Sequence, residues 1–311
     1  MKNYTQHIPK EVAVKLKTLG EAGEIWFCNI NSQIQTIKDL WGLKLGEVLH
    51  GGSDSLVIEA ITQVGQLAVL KISIPDSFGL RKEVVMLNLV AGNGYPKLYQ
   101  QDAKATIFLM ERLGQSLATT SLPLEQKLAI SCQVLKKSWL KIDNTLQLTT
   151  GLEKADWLVH FIQKLYQEFP NAIPQKAIFK ALQFLAARKD AYHPTNCVLV
   201  HGDAHFENIL ASLNNPTYKL IDPEGLFAEP AYDLAIPMRE NNAGILGENI
   251  LKAGRKRSEL LAKLTGVEEL AIWQWGFIER ISTGLYLKKL GYQKESQVTL
   301  QIATIWSARK K

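Results

Sequence analysis

The sequence predicts an α+β protein of two lobes, a β-rich N-terminal lobe over 1–112 and a mainly helical C-terminal lobe over 113–311. Three observations carry this expectation. Short β-branched and apolar runs separated by glycines fill 44–110, with one helical stretch among them. From 124 onward apolar residues recur mostly at helical spacing. Within that helical half, two short apolar runs, Cys197 to Val200 and Thr217 to Ile221, each lead into a polar turn.

Residues 9–42 read as a helical prelude, with Leu16, Leu19, Ile25 and Ile30 among polar residues and a break expected between Gly20 and Gly23. Lys44 to His50, Ser55 to Thr62 and Gln66 to Ser73 read as three successive antiparallel strands. Phe78 to Val90 follows as a helix whose apolar positions are Leu80, Val84, Leu87 and Val90, leaving Arg81, Lys82 and Glu83 as its charged part. Two more strands, over 96–99 and 105–110, end at the polar segment Glu111-Arg112-Leu113-Gly114, where the domain boundary is placed. Helices are expected over 124–142, 153–168 and 175–189, the first and third opening near prolines. Asn214-Asn215-Pro216 marks a turn between the two short strands, and from 231 the chain is helical again, with its longest stretch over 267–290.

With 46% hydrophobic and 21% charged residues, the composition excludes disordered, fibrous and coiled-coil chains. No uninterrupted apolar stretch approaches the ~18 residues that cross a bilayer, and the start has no apolar h-region. A cytoplasmic protein without a membrane partner is expected. The three cysteines, Cys28, Cys132 and Cys197, form neither a CxxC nor a cluster with histidine, which excludes a disulfide framework or zinc site of familiar spacing. The net charge of +6 is spread along the chain without a nucleic-acid-binding motif, so no nucleic-acid partner is expected.

The chemistry concentrates after the first short strand. His201-Gly202-Asp203 is followed by Asn208 and, at the end of the next strand, by Asp222. Phosphoryl transfer from a nucleotide needs a carboxylate to accept the acceptor's hydroxyl proton and hard oxygen ligands to hold magnesium on the phosphates. An acid, an amide and a second acid in this order supply all three, although the same residue types also satisfy loop backbone. Upstream, Lys71 sits in the apolar run Ala68-Val69-Leu70, where an ammonium is costly unless it meets an anion or reaches water at a sheet edge. Nucleotide phosphate and Glu83, on the following helix, are the expected partners. Gly51, Gly52 and Ser53 lie between the first two strands, where a loop covering phosphate belongs, although a glycine pair also makes ordinary hairpins. Glu111 to Leu113, just after the fifth strand, is the expected hinge whose backbone meets a nucleobase, or else a plain linker.

LVHGDAHFENIL followed by LIDPEGLFAEPAYDLA resembles the signature of aminoglycoside phosphotransferases, most closely their streptomycin 6-kinase and hydroxyurea kinase branch. The resemblance is specific over 198–240 and looser over 45–240. It implies a two-lobe protein-kinase-like fold, with the active site in the cleft between the lobes. It also implies ATP or GTP as donor with Mg2+, and O-phosphorylation of a small-molecule hydroxyl. Carried over, Asp203 is the catalytic base, Asn208 and Asp222 are the magnesium ligands, Lys71 the phosphate anchor and Glu83 its ion-pair partner. His201 supports the catalytic loop and Asp233 braces it from the following helix; His205 has no assigned role.

Two departures matter. That branch has a lysine after Asp-Pro where this chain has Glu224, and the protein-kinase Phe-Gly pair and long activation segment are missing, which argues against protein substrates. Glu224, Glu229 and Glu240 are the expected contacts for a cationic, hydroxyl-rich acceptor of the streptomycin type. A metabolic kinase for a sugar or amino alcohol, and an idle nucleotide-binding protein, are the rival readings. Trp273, Phe277, Ile281 and Leu285 are expected to form a core stripe, and KAGRKR over 252–257 a solvated helix face.

Overall fold

The computed structural model describes residues 3–309 except 51, 53, 76–77, 105 and 247–248, and for 78–81 and 243 the backbone alone. In chain order the main elements are α1 (Lys10–Thr18), α2 (Glu21–Trp41), β1 (Lys44–Leu49), β2 (Ser55–Ile61), β3 (Leu67–Ser73), α3 (Phe78–Val90), β4 (Leu98–Gln101), β5 (Ile107–Glu111) and β6 (Leu113–Ser116). Then come α4 (Leu124–Ser138), α5 (Gly151–Glu168), α6 (Gln175–Asp190), β7 (Val198–Val200), β8 (Ile209–Ser212), β9 (Tyr218–Leu220) and β10 (Leu226–Ala228). The chain closes with α7 (Ala235–Arg239), α8 (Asn242–Leu246), α9 (Ile250–Thr265), α10 (Glu269–Lys289) and α11 (Gln293–Trp306).

Two compact units result. The first comprises Met1–Gln115 and Leu210–Glu224, the second Ser116–Ile209 and Gly225–Lys311. A single boundary after residue 112 therefore gives way to a double crossing: β8 and β9 join β6 in a three-stranded sheet, so the stretch ending at Glu224 folds with the first unit. Strands of three or four residues are too short to display alternation, and this pairing had no sequence signature.

The first unit is built on an antiparallel sheet of order β1-β2-β3-β5-β4. Leu56, Ile58 and Ala60 of β2, with Ala68, Leu70 and Ile72 of β3, present one face to Trp26, Ile30, Ile34 and Ile37 of α2. The prelude is thus a cover for the sheet, and burying four large side chains at about 1.5–3 kcal/mol each makes it integral to this unit. The break falls at Gly20, whose φ of +54° no ordinary side chain adopts cheaply, while Gly23 lies inside α2.

The second unit packs its helices around α10, which is buried nearly all round. Trp273, Phe277, Ile281 and Leu285 are fully enclosed, as a core stripe requires. KAGRKR departs from the expected solvated face. It lies on α9, where Gly254 and Arg257 point inward and only Lys252, Arg255 and Lys256 are exposed. In the same unit β7 pairs antiparallel with β10, Val200 opposite Leu226, which brings the residues after one strand beside those before the other.

Candidate active site

Every residue of β3 from Ala68 to Ser73 is buried. With alternate residues turned to α2, Lys71 faces the other side, toward α3. There its Nζ lies 2.6 Å from Glu83 Oε2 and also pairs with Asp222, while Phe108, its neighbour across β5, has its ring centre 5.8 Å away. Burial by itself lowers the Lys71 pKa, but the negative charges of Asp222 and Glu83 reverse this and hold it above the usual lysine value. Glu83 is pushed up to about 7, because burial, aided by the charge of Asp222, outweighs the attraction of Lys71. Asp222 follows β9 with φ +56°, a left-handed conformation that aspartate tolerates better than most residues, and its side chain is 42% exposed. The Leu220 N–H donates to the Gly94 carbonyl at 2.8 Å, which ties β9 to the loop after α3.

In the second unit the β7–β10 pair sets the loop that follows. The Gly225 N–H donates to the His201 carbonyl at 3.2 Å. Fully buried Asp233 accepts the N–H groups of Gly202 at 2.7 Å and His201 at 3.0 Å, and the Trp139 indole at 2.9 Å. Burial raises the Asp233 pKa despite His201 and those donors. Gly202 has φ +93°, a turn that suits glycine. The Asp203 N–H donates to His201 Nδ1 at 3.1 Å, and Asn208 Nδ2 donates to the Asp203 carbonyl at 3.0 Å. With the backbone fixed at both ends, the Asp203 carboxylate meets His205 Nε2 at 3.5 Å and Arg239 Nη2 at 3.9 Å. Burial raises the Asp203 pKa, but the attraction of His205, with Arg239 behind it, brings it below the usual carboxylate value. The same contact raises His205 above the usual histidine value against the effect of burial.

A cavity of about 750 Å³ opens beside this loop, bordered by His205, Arg239, Glu240, Asn242, Thr283 and Glu295. Of the three glutamates expected at an acceptor, Glu240 borders it, with Oε1 accepting the Phe206 N–H at 3.1 Å. Glu229 does not border it: its carboxylate takes the Trp275 indole at 2.8 Å and pairs with Arg188 at 3.4 Å. Glu224 belongs to the first unit and is exposed.

Glu111 also departs from expectation. It ends β5 instead of following it, its N–H donates to the Lys97 carbonyl at 2.8 Å, and its buried carboxylate takes the Lys97 N–H and the Lys219 ammonium. Its amide is spent on the sheet. Leu113 opens β6 and is half-buried. Gly52 is described as a half-buried loop residue, while Gly51 and Ser53 lie outside the described residues. Arg239, which reaches Asp203 from the end of α7, carries no signal in the sequence, because no spacing rule marks an arginine at a helix end.

Among known families, the model described as "Aminoglycoside/hydroxyurea antibiotic resistance kinase" matches residues 41–288. The chain belongs to this kinase family. The kinase is similar to a streptomycin 6-kinase of Streptomyces glaucescens, 23% identical over 286 residues and covering 90% of each chain. It is similar also to a hydroxyurea phosphotransferase of Kitasatospora aureofaciens, 27% identical over 233 residues, which are 73% of this chain and 66% of that one. In fold the kinase is similar to an ethanolamine kinase of Plasmodium vivax, with a TM-score of 0.60 at 15% identity, covering 86% of this chain and 85% of the other. It is therefore an α+β phosphotransferase that uses a nucleotide donor and a hydroxyl acceptor. Among the described residues no helix is long and apolar enough to cross a membrane, and no three or more His, Cys, Asp or Glu side chains gather as a metal site.

Proposed function

We propose that this kinase transfers the γ-phosphate of ATP to a hydroxyl of a streptomycin-type aminoglycoside, a resistance reaction carried out in the cytoplasm. The observation that carries the reading is the likeness to a streptomycin 6-kinase along 90% of both chains. In this reading the first unit grips the nucleotide: Lys71, oriented by Glu83, holds its phosphates, and Gly52 and Leu113 belong to its binding surface. The second unit supplies the base, Asp203, on a loop supported by His201 and Asp233. A carboxylate kept below its usual pKa is ionised at neutral pH and ready to accept the acceptor's hydroxyl proton.

Each unit by itself offers an oxygen of the kind Mg2+ takes, Asn208 in the second and Asp222 in the first. Magnesium prefers one or two protein oxygens and completes its octahedron with water and phosphate oxygens. With its nitrogen spent on the Asp203 carbonyl, Asn208 has Oδ1 to offer, and Asp222 adds a half-exposed carboxylate. Held by such oxygens, the ion would neutralise charge on the phosphates.

The cavity beside Asp203 is the proposed acceptor site, with Glu240 and Glu295 as carboxylates for amine or guanidinium groups. The net charge of +6 opposes a cation at long range, but screening over roughly 8 Å at physiological salt leaves local carboxylates in control. The test offers streptomycin, hydroxyurea and several neutral sugars, each with ATP or GTP and magnesium, and follows product mass. Streptomycin heavier by one phosphoryl group is the expected result. A phosphorylated neutral sugar beside unchanged streptomycin would reject the cationic acceptor in favour of a metabolic kinase.

A further inference from the structure

The Asp203 carboxylate is flanked on both oxygens, His205 near Oδ2 and Arg239 near Oδ1. At 3.5 and 3.9 Å both are ion-pair contacts longer than a good hydrogen bond. The two flanks differ in what stands behind them. His205 lies on the same loop as Asp203 and shifts with it. Arg239 comes from another element and is anchored independently: Nη1 donates to Glu279 Oε1 at 2.8 Å and to Thr283 Oγ1 at 2.9 Å, both on α10. The Thr283 hydroxyl in turn donates to the same Glu279 oxygen at 2.6 Å.

The backbone around Arg239 is fixed as well. The Met238 carbonyl accepts Arg280 Nη2 at 2.8 Å and Arg257 Nη1 at 3.3 Å, and Arg257 also donates to the Glu240 carbonyl. Arg280 is fully buried and donates to Asn242 Oδ1 at 2.6 Å. Two buried arginines therefore clamp the turn that carries a third. Such investment in one short turn calls for a reason beyond covering the core, since α7 spans only five residues. A guanidinium suits this geometry, because its planar fork can keep one nitrogen on Glu279 and Thr283 while the other faces Asp203, which the single ammonium of a lysine cannot do.

We propose that Arg239 is a positioning residue of phosphoryl transfer, anchored by Glu279 and Thr283, that fixes the rotation of the Asp203 carboxylate so that one oxygen is held toward the acceptor hydroxyl. The inference rests on Asp203 being the base. Arg239 acts through Asp203 and takes no part in holding the nucleotide. A misplacement of about 1 Å at a reacting group costs on the order of a hundredfold in rate, which sets the scale of the effect.

The test compares Arg239→Ala, Arg239→Lys and Glu279→Gln in steady-state turnover with streptomycin, each variant first checked for an unchanged melting midpoint. Arg239→Ala and Arg239→Lys should lose roughly a hundredfold in kcat with KM for nucleotide and acceptor nearly unchanged, and Glu279→Gln should lose less in the same direction. Guanidinium chloride at millimolar concentration should restore part of the kcat of Arg239→Ala and none of that of Arg239→Lys, whose side chain fills the space. In an Asp203→Asn background, Arg239→Ala should have no further effect. An unchanged kcat, a loss confined to acceptor KM, or full additivity with Asp203→Asn would overturn the proposal. Nucleotide hydrolysis without acceptor, in which water stands before Asp203, measures the same variants independently. Failure to phosphorylate streptomycin would then count against the acceptor assignment, and retained turnover in Asp203→Asn against the base itself.

Discussion

Lys71 owes its place to two carboxylates, Glu83 and Asp222, because a buried ammonium without them would cost several kcal/mol. Lys71→Met should lower nucleotide affinity or turnover by about a hundredfold, the scale of losing one charge-stabilising donor, with Glu83→Gln milder. Calorimetric titration with nucleotide and turnover assays check this; two unchanged values would remove Lys71 from the site. The Asp203–His205 contact makes a pH prediction. A histidine raised above 6.5 on folding contributes stability that is fully present below that value and is lost as pH rises through the folded value. The lowered Asp203 contributes above 3.8 and loses its share only as pH falls through its folded value. As pH rises above 6.5, nucleotide-free protein should therefore lose melting temperature more steeply than its His205→Gln variant. Parallel curves for the two would show that the contact carries no linkage. As candidates, Lys71, Asp203, Asn208 and Asp222 stand out in the sequence because a charge in an apolar strand and a spaced acid–amide–acid series are unusual. Arg239 does not, since its meaning comes from Glu279 and Thr283, forty residues and more away on α10.

Among the elements, the prelude shows how one residue type carries two meanings. Both Gly20 and Gly23 read as breakers, yet only Gly20 ends a helix; at Gly23 a Cβ would stand 2.1 Å from the Leu16 carbonyl oxygen of α1. The glycine permits α1 and α2 to touch backbone to backbone. Gly23→Ala gains up to ~1 kcal/mol in helix propensity but must push the helices apart, at a cost of about 1–3 kcal/mol or more. Thermal melting should show a midpoint lower by several degrees, and an unchanged or higher midpoint would mean that the crossing is relaxed without cost. Long periodic helices such as α10 and the strands β2 and β3 were readable, because seven or more residues display their period. β7 and β9, only three residues each, were marked by the polar turns they lead into; β6, β8 and β10, of three or four residues, had no such mark. KAGRKR misled because composition registers charge while burial depends on which face each residue takes; Arg257 faces inward to bind two carbonyls.

At the scale of the whole molecule, the residues proposed for one reaction are divided between two units. Lys71, Glu83 and Asp222 belong to the first, Asp203 and Asn208 to the second. The chain achieves this by leaving the second unit at Leu210 and returning at Gly225, so the acid–amide–acid series is continuous in sequence and split in the fold. The two-lobe α+β architecture was legible from the change of texture near residue 112, but a linear reading could not place 210–224 with the first unit. The base acts on the acceptor hydroxyl and not on the nucleotide, so a defect in it should leave the nucleotide grip intact. The decisive measurement is Asp203→Asn, titrated with magnesium-nucleotide and assayed for turnover on the same preparation. Nucleotide affinity should stay nearly unchanged while turnover falls by several orders of magnitude, on the order of 10^3 or more, since removing a base from a cooperating set removes most of its effect. Turnover retained within about tenfold would contradict the assignment of Asp203 as the base.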